Sequence, residues 1–216
     1  MFRLAGRLCT RSIAPGYRVY GEELLRADGT EYRAWDLYRS KLAGAIQKGL
    51  KQLAIAPGSG VLYLGAASGT TASHVSDVVG EEGIVFCVEF SARTVRDLVK
   101  VCEERENMVP LLGDARFPQQ YAQAVEEETG GKVDVIYQDV ADPEQARIIE
   151  ANSEKFLEKG GNALLCLKAR SIDAMQQPEK IFRETRARLE KSFEVRQQID
   201  LAPFDKDHAF LSMRKK

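Results

Sequence analysis

Four apolar runs in this sequence end in glycine, which lets the backbone approach a ligand closely, or in a carboxylate, which can accept hydrogen bonds from the sugar of a nucleoside. VLYLG ends at Gly65, GIVFCVE at Glu89, MVPLLGD at Asp114 and VDVIYQD at Asp139. An acid about 20 residues beyond a glycine turn commonly accepts hydrogen bonds from ribose hydroxyl groups, and Glu89 has that position. Asp114 and Ala115 suit an adenine amino group. Each acid alone is also typical of a solvated strand end, but together they predict a nucleoside-bearing cofactor.

The loop GAASGTT, which follows the first of these runs, favours a cofactor without a pyrophosphate group. Gly65 and Gly69 permit a tight turn through which backbone N–H groups approach a ligand. Thr70 and Thr71 suit the start of the next helix. Ala67 occupies the second glycine position of the dinucleotide motif G-x-G-x-x-G, and the G-K-[ST] of a P-loop is absent. S-adenosylmethionine therefore fits better than NAD, although a turn that only packs tightly remains an alternative.

Two lysines, an aspartate and a histidine are candidates for proton transfer. Methylation of an alcohol oxygen requires a base for its proton and a group that orients it. Lys168 ends the fifth apolar run, NALLCLK, and lies beside Asp139 if their strands are neighbours. Lys41 is a second cation, and His208 lies in FDKDHAF, whereas His74 is more typical of a packing or surface residue. The sequence leaves open which group takes the proton.

The apolar runs alternate with stretches of helical length, a pattern typical of a parallel sheet with crossover helices. The last two runs, FEVRQQIDL and HAFLSMR, have only APFDKD between them and should pair as an antiparallel hairpin at one side of the sheet. Five parallel strands with such a hairpin indicate the class I S-adenosylmethionine-dependent methyltransferase fold, a Rossmann-like α/β fold. Ligands bind such sheets beyond the carboxyl ends of the strands, where the polar residues fall.

A small β-ribbon and a helix are predicted ahead of this sheet. FRLAGRL and GYRVYGEEL are typical of strands, with Pro15 and Gly16 in the turn between them. Residues 36–53 carry apolar side chains at helical spacing. These side chains are Leu42, Ile46, Leu50 and Leu53. We therefore divide the chain into an N-terminal unit, residues 1–55, and a methyltransferase domain, residues 56–216.

The composition indicates a soluble protein with a core of its own. The chain has 216 residues, of which 44% are hydrophobic, and no apolar stretch reaches the roughly 20 residues that span a bilayer. Lys and Arg number 31 against 32 Asp and Glu, so contact with nucleic acid needs a local basic patch. The cysteines form no C-x-x-C pair, which favours a reducing, cytoplasmic location and no metal. The arginine-containing first twelve residues also fit a mitochondrial transit peptide.

From about residue 11 to its end, the sequence resembles the archaeal members of the fibrillarin family, which are RNA 2′-O-methyltransferases. The segments that carry the resemblance are PGYRVYGE, YRSKLAGAI, VLYLGAASGTTASHVSD, VEFS, GDAR, DVADPEQ and FDKDHA. The resemblance implies that the catalytic group is Lys41, Asp139, Lys168 and His208. Together with the glycine loop, it implies cofactor contacts from Gly65, Ala67, Gly69, Thr70, Thr71, Glu89, Phe90, Asp114, Ala115, Asp139, Val140, Ala141 and Asp142. One of these, Asp142, departs from the expected DVAQP and exchanges a neutral amide for a negative charge.

The resemblance also implies partners. Such enzymes act in a box C/D ribonucleoprotein with a Nop-family scaffold protein, a guide RNA paired with target rRNA or tRNA, and a kink-turn-binding ribosomal-type protein. The net charge of −1 agrees with RNA capture by partners, with only a small basic rim at the cofactor mouth. The candidate rim residues are Arg33, Arg39, Lys41, Lys168 and Arg170.

Three other functions remain as alternatives. A nicotinamide oxidoreductase would share the glycine turn and the ribose acid but would leave Lys41, Lys168 and His208 without a joint task. A non-catalytic assembly subunit would keep the fold and lose the chemistry. A methyltransferase that acts on another substrate would keep the cofactor.

Overall fold

The computed structural model of the protein describes all residues from Met1 to Lys216 and contains two β-sheets. The smaller, N-terminal sheet has four antiparallel strands in the order β1-β2-β4-β3. Its strands are β1 Phe2–Leu4, β2 Arg7–Arg11, β3 Leu24–Ala27 and β4 Thr30–Ala34. The predicted small sheet ahead of the main domain is therefore present.

Two strand predictions in this sheet were wrong. FRLAGRL forms the hairpin β1–β2 rather than one strand, and its turn residues Ala5 and Gly6 take left-handed conformations with φ of 48° and 76°. GYRVYGEEL is irregular through Glu23, and only its last residue, Leu24, belongs to a strand, β3. The carboxylate of Glu22 accepts hydrogen bonds from the N–H groups of Val19 and Tyr20 at 3.1 and 2.9 Å. Because a strand would need those groups for its ladder, the side chain competes with sheet formation.

The helix predicted over residues 36–53 is shorter, α1 Lys41–Gln47. It begins at Lys41 because the side chain of Ser40 accepts a hydrogen bond from the N–H of Ala43 at 3.3 Å and caps the first turn. It ends because Gly49 takes a φ of 91°, a left-handed conformation that commonly terminates helices. The helix therefore serves to present Lys41 at its N-terminal end.

Replacing the cap residue, in the variant Ser40→Ala, should lower the free energy of unfolding by about 1 kcal/mol. The N–H of Ala43 would lose its acceptor, and the hydroxyl of Thr71, 3.1 Å from that of Ser40, would lose its partner. Urea unfolding measures the difference. Ser192→Ala, at an exposed position outside any cap, is the control and should stay within about 0.5 kcal/mol of wild type. Equal stability of the two variants would contradict the capping role.

The larger sheet has seven strands in the order β10-β11-β9-β8-β5-β6-β7. Its strands are β5 Gly60–Leu64, β6 Ile84–Glu89, β7 Met108–Leu112, β8 Val133–Gln138, β9 Leu157–Lys168, β10 Phe193–Asp200 and β11 His208–Lys215. Strands β5 to β9 are parallel, and β11 pairs antiparallel with both β9 and β10. The predicted parallel sheet with its closing hairpin is confirmed.

Helices cover both faces of the larger sheet. They are α2 Thr70–Val79, α3 Ala92–Glu103, α4 Ala122–Thr129, α5 Gln145–Phe156, α6 Ala169–Ile172 and α7 Pro178–Leu189, with a 3₁₀ turn at Pro118–Gln120. Alternate residues of β5 enter different hydrophobic clusters, since Val61 and Tyr63 face α2 and α3 whereas Leu62 and Leu64 face α5. In length and apolarity, every helix falls short of what a membrane crossing requires.

The N-terminal sheet shares its core with the larger sheet. Leu8 and Trp35 belong to the same buried cluster as Val61 and Val75 of the larger domain. One continuous hydrophobic cluster therefore contains residues from both sides of residue 55. The division of the chain into two units near that residue stays a prediction.

A buried charge network also joins the N-terminal sheet to helix α2. Arg33 of β4 is fully buried and pairs with Glu22 at 2.6 Å and with Asp77 of α2 at 2.8 Å. Asp77 also pairs with the buried Arg105 at 2.7 Å. The prediction that Arg33 belongs to a basic rim was wrong, because its guanidinium group neutralises buried carboxylates. Beside the network, burial lowers the pKa of His74 well below its usual value, so this histidine packs as a neutral ring.

Candidate active site

Lys41, Asp139, Lys168 and His208 meet at the carboxyl edge of the central sheet. Lys168 ends β9, the neighbour of β8, and its Nζ lies 2.8 Å from Oδ1 and 2.8 Å from the backbone oxygen of Asp139. Lys41 Nζ lies 3.3 Å from the same Oδ1. His208 stands opposite Lys168 in the register of β11 and β9. The topology thus brings together all four residues that the sequence separates.

Lys41 is held as a cation. Its Nζ lies near two carboxylates, that of Asp139 and, at 3.4 Å, that of Asp205. Burial alone would lower the pKa of Lys41, but the two carboxylates outweigh burial and raise it well above its usual value. Lys41 is therefore suited to donating hydrogen bonds and stabilising negative charge, and it is not suited to accepting a proton.

Asp139 is the carboxylate that both lysines contact. Its Oδ1 lies 2.8 Å from Nζ of Lys168 and 3.3 Å from Nζ of Lys41, and Nζ of Lys41 also donates a hydrogen bond to Oδ2 at 3.4 Å. These ion pairs hold the carboxylate in place. Because a carboxylate oxygen has more than one lone pair, a substrate hydroxyl group can still donate to it.

His208 is held through one of its ring nitrogens. Its Nδ1 lies 2.8 Å from Oδ1 of Asp205 and 2.6 Å from the backbone oxygen of Lys206. Because both neighbours are acceptors, Nδ1 carries a hydrogen. Asp205 is a site residue that the sequence analysis missed, although it lies within the segment FDKDHAF. Only the fold shows that its carboxylate also reaches Lys41.

A cavity of about 350 Å³ opens beside this cluster. It lies beyond the carboxyl ends of β5, β6, β7 and β8, where the parallel-sheet rule places a ligand. Its lining includes ten of the predicted cofactor residues, namely Gly65, Ala67, Glu89, Phe90, Asp114, Ala115, Asp139, Val140, Ala141 and Asp142. Lys168 and Arg116 also line it. The cavity and the four-residue cluster therefore share Asp139 and Lys168.

The other three predicted cofactor residues, Gly69, Thr70 and Thr71, do not line the cavity. Gly69 has a φ of 89°, and a Cβ atom there would lie 3.2 Å from Cδ1 of Leu98, so packing alone accounts for this glycine. Thr71 is buried and donates a hydrogen bond to Ser40. Gly69 and Thr71 thus contact Leu98 of α3 and Ser40 ahead of α1. Contact of the three residues with a cofactor stays a prediction.

Gly65 permits a close approach between two strand ends. Its φ is 82°, and a Cβ atom there would lie 2.9 Å from the backbone oxygen of Asp139. A larger residue would therefore push the glycine loop away from the catalytic carboxylate. Ala67, which occupies the position of the missing motif glycine, still takes a positive φ of 49°.

Glu89 is an oriented acceptor at the end of β6. It is buried, and its two oxygens accept hydrogen bonds from the N–H groups of Ala67 at 3.1 Å and Ser91 at 2.9 Å. Each carboxylate oxygen has a further lone pair, and the side chain lines the cavity. This arrangement suits a pair of ribose hydroxyl groups.

The variant Glu89→Ala should bind S-adenosylmethionine about 5- to 150-fold more weakly than wild type. Loss of the carboxylate leaves donors unpaired in a buried site, which costs about 1–3 kcal/mol. Titration calorimetry measures the affinity, and Glu81→Ala, at an exposed position ahead of β6, is the matched control. Equal affinities for the two variants would contradict the ribose role of Glu89.

Asp114 is held in place by Arg116. The guanidinium group contacts both carboxylate oxygens, with Nη2 at 2.6 Å from Oδ2. This hydrogen bond is the main reason that the pKa of Asp114 is lowered. Arg116 was not predicted as a site residue, because only the fold shows that it turns back onto the acid at the cavity wall.

Two further lining residues complete the pocket. Phe90 lines the cavity and is 77% exposed as a residue, an unusual setting for an aromatic side chain and a suitable one for stacking with a base. Asp142 uses Oδ1 to accept a hydrogen bond from the N–H of Glu144 at 2.7 Å, which fixes the loop ahead of α5. The acid that replaces the expected glutamine therefore has a local structural partner.

The lining fits S-adenosylmethionine, because it combines an exposed ring for a base, buried acceptors for a ribose and a cation–carboxylate cluster at one end. With the parallel sheet and its closing hairpin, these features define a class I S-adenosylmethionine-dependent methyltransferase fold. The family model described as Fibrillarin matches residues 2–216. The chain belongs to the fibrillarin family, so the oxidoreductase alternative no longer applies.

Individual relatives support this assignment. The fibrillarin-like rRNA/tRNA 2′-O-methyltransferase of Pyrococcus abyssi is 50% identical over 209 residues, which cover 97% of this chain and 90% of the relative. The structure of Aeropyrum pernix fibrillarin with natively bound S-adenosyl-L-methionine has a TM-score of 0.87 at 46% identity, covering 96% of this chain and 88% of that one. A fibrillarin/Nop5p complex has a TM-score of 0.87 at 40% identity, covering 100% and 97%.

Proposed function

We propose that this protein transfers the methyl group of S-adenosylmethionine to the ribose 2′-hydroxyl of nucleotides in rRNA and tRNA. The observation that carries the proposal is the meeting of Lys41, Asp139, Lys168 and His208 beside a nucleoside-sized cavity. The relative from Pyrococcus abyssi is named for this activity, and the Aeropyrum pernix relative holds this cofactor.

The residues of the cluster have complementary tasks in this reaction. Bound S-adenosylmethionine supplies an electrophilic methyl group, so the chain must orient the hydroxyl oxygen and remove its proton. Lys41 stays protonated and stabilises the oxygen as negative charge develops on it. The carboxylate of Asp139, which Nζ of Lys168 contacts at 2.8 Å, receives the proton.

We also propose that the protein is the catalytic subunit of a box C/D ribonucleoprotein. A fibrillarin relative forms a complex with Nop5p, which supports a Nop-family scaffold as partner. The guide RNA, the target strand and a kink-turn-binding ribosomal-type protein complete the proposed assembly. The net charge of −1 supports an assembly in which partners capture the RNA. An enzyme that captures RNA by itself needs many contacts from Lys and Arg to phosphate groups.

Local cations remain for the final placement of the RNA. The side chains of Arg39 and Arg170, just before α1 and just after β9, are 60% and 50% exposed although they pair with Asp36 at 4.0 Å and Asp207 at 3.0 Å. With Lys41 and Lys168 they form a rim that suits one backbone segment. A cytoplasmic location is also part of the proposal, and it is supported by the free thiol groups of all four cysteines.

Methyl transfer in a reconstituted assembly tests the proposed function. The full chain is incubated with methyl-labelled S-adenosylmethionine, scaffold proteins, guide RNA and target RNA, and the target is digested to nucleosides. We expect label in one 2′-O-methyl nucleoside at the guided position. Unlabelled RNA in an assembly that forms and binds the cofactor would favour the non-catalytic alternative. Label on a base would favour a methyltransferase of different specificity.

A further inference from the structure

We propose that Asp205 is a positioning residue for methyl transfer, whose carboxylate holds Lys41 and His208 in a fixed relation to each other. This inference rests on the proposed function, because it assigns a task to Asp205 within that site. Neither the motif spacing nor the resemblance singled out this residue, and it becomes visible only through its contacts.

The carboxylate of Asp205 uses one oxygen for each partner. Oδ1 lies 2.8 Å from Nδ1 of His208, and Oδ2 lies 3.4 Å from Nζ of Lys41. The two partners come from distant elements, since Lys41 begins α1 and His208 begins β11. Asp205 is therefore the link between the cation and the imidazole of the site.

The backbone places this carboxylate before any substrate arrives. The loop between β10 and β11 folds back on Leu201, whose carbonyl oxygen accepts hydrogen bonds from Phe204 at 2.9 Å and Asp205 at 3.2 Å. The N–H of Leu201 in turn donates to the backbone oxygen of His208 at 3.0 Å. Because these bonds close the loop, the carboxylate is held without help from a ligand.

Asp205 also balances the charge of the site. Lys41 and Lys168 carry two positive charges, and Asp139 alone supplies one negative charge. Asp205 supplies the second. Burial tends to raise its pKa, but the hydrogen bond from His208 and the charge of Lys41 lower it, so the group stays ionised. Without this charge the partly buried site would carry a net positive charge at rest.

A purely structural role for Asp205, as an acceptor within the loop, makes a different prediction. Asparagine has the same shape and keeps one acceptor oxygen, so the variant Asp205→Asn would satisfy a structural role. It would remove the charge and the second acceptor, and thus break the link to Lys41. Asp205→Glu keeps the charge on a longer side chain. Asp205 does not line the cofactor cavity, so neither change should alter cofactor affinity.

The experiment compares Asp205→Asn, Asp205→Glu and the control Asp200→Asn. Asp200 lies in the same hairpin and accepts a hydrogen bond from the N–H of Ala202 at 2.9 Å, but it contacts neither Lys41 nor His208. Each variant is assembled with scaffold proteins and guide RNA, and kcat for methyl transfer is measured with cofactor affinity and thermal stability.

We expect Asp205→Asn to lower kcat on the order of 10- to 100-fold, with cofactor affinity within about twofold of wild type. Asp205→Glu should recover most of this loss, and Asp200→Asn should match wild type. A kcat for Asp205→Asn within about threefold of wild type would overturn the proposal. So would an equal loss in Asp205→Asn and Asp205→Glu at unchanged stability, because the charge would then not matter.

Two further outcomes, a destabilised variant and an inactive wild-type assembly, can be distinguished from those above. If Asp205→Asn melts at a clearly lower temperature, the pair Asp205→Glu and Asp205→Gln repeats the comparison of charged and neutral side chains at equal length, with the same two criteria. If the wild-type assembly itself transfers no methyl group, the proposed function fails, and the positioning role fails with it. A normal wild-type rate with an unaffected Asp205→Asn variant contradicts the positioning role alone.

Discussion

The variant Lys168→Ala should bind S-adenosylmethionine with an affinity close to that of wild type and lose methyl transfer by about 10²–10⁴-fold. The reason is that Lys168 holds the proton-accepting carboxylate of Asp139 at 2.8 Å, and positioned acid–base groups contribute rate factors of that size. Ribose and base contacts come instead from Glu89 and Phe90, which this change leaves in place. Single-turnover transfer in the full assembly measures the rate, and calorimetry measures the affinity.

Lys180→Ala is a suitable control for this variant. Lys180 is an exposed lysine of α7 that pairs only with Glu184, at 3.8 Å, so its removal should leave the rate unchanged. A Lys168→Ala assembly that turns over at the wild-type rate would show that Lys168 has no role in proton transfer. Loss of cofactor binding in parallel with activity would instead make Lys168 a binding residue.

The free chain should methylate RNA at least about a hundredfold more slowly than the assembly does, because a loosely placed hydroxyl loses the benefit of orientation. With a net charge of −1 and only a small cationic rim, it should also bind RNA no better than typical non-specific binders, with Kd about 10⁻⁴–10⁻⁶ M at physiological salt. Scaffold and guide RNA would supply the missing affinity.

A salt series of RNA binding, recorded beside activity with and without partners, checks this second prediction. We expect a shallow dependence of affinity on salt, since few phosphates are neutralised. The variants Arg39→Ala and Arg170→Ala should weaken the residual binding, whereas Arg26→Ala, whose side chain is 82% exposed on the N-terminal sheet, should not. Tight binding at physiological salt, or methylation at defined sites without guide RNA, would show that the protein finds its own substrate.

The parallel sheet was predictable because its strands are continuous apolar runs whose ends carry the polar residues. Where the prediction failed, a local interaction or backbone conformation outweighed the preference that the hydrophobic pattern indicates. Glu22 takes backbone N–H groups that a strand would need, and Gly49 ends α1 early through its positive φ. Neither effect changes the hydrophobic spacing, so the pattern alone did not show it.

The residues of the active site also fall into two groups, those that the sequence predicted and those that only the fold revealed. Residues at strand ends, such as Asp139 and Lys168, were predictable because neighbouring parallel strands present their ends at one edge. Arg33 was wrongly assigned to the rim because its burial depends on Asp77, which is distant in sequence. Asp205 was missed for a related reason, since its partner Lys41 belongs to another element. Pairings of this kind follow from the tertiary fold and leave no periodic signal.

Replacement of one hydroxyl group in the RNA tests the central claim most directly. Two target strands are prepared that differ only at the guided nucleotide, which carries either a ribose or a 2′-deoxyribose. Both pair with the same guide RNA in the same assembly, and methyl-labelled S-adenosylmethionine is added. An RNA 2′-O-methyltransferase labels the ribose strand and leaves the deoxyribose strand without label. Equal labelling of the two strands would show that the methyl acceptor is not the 2′-hydroxyl.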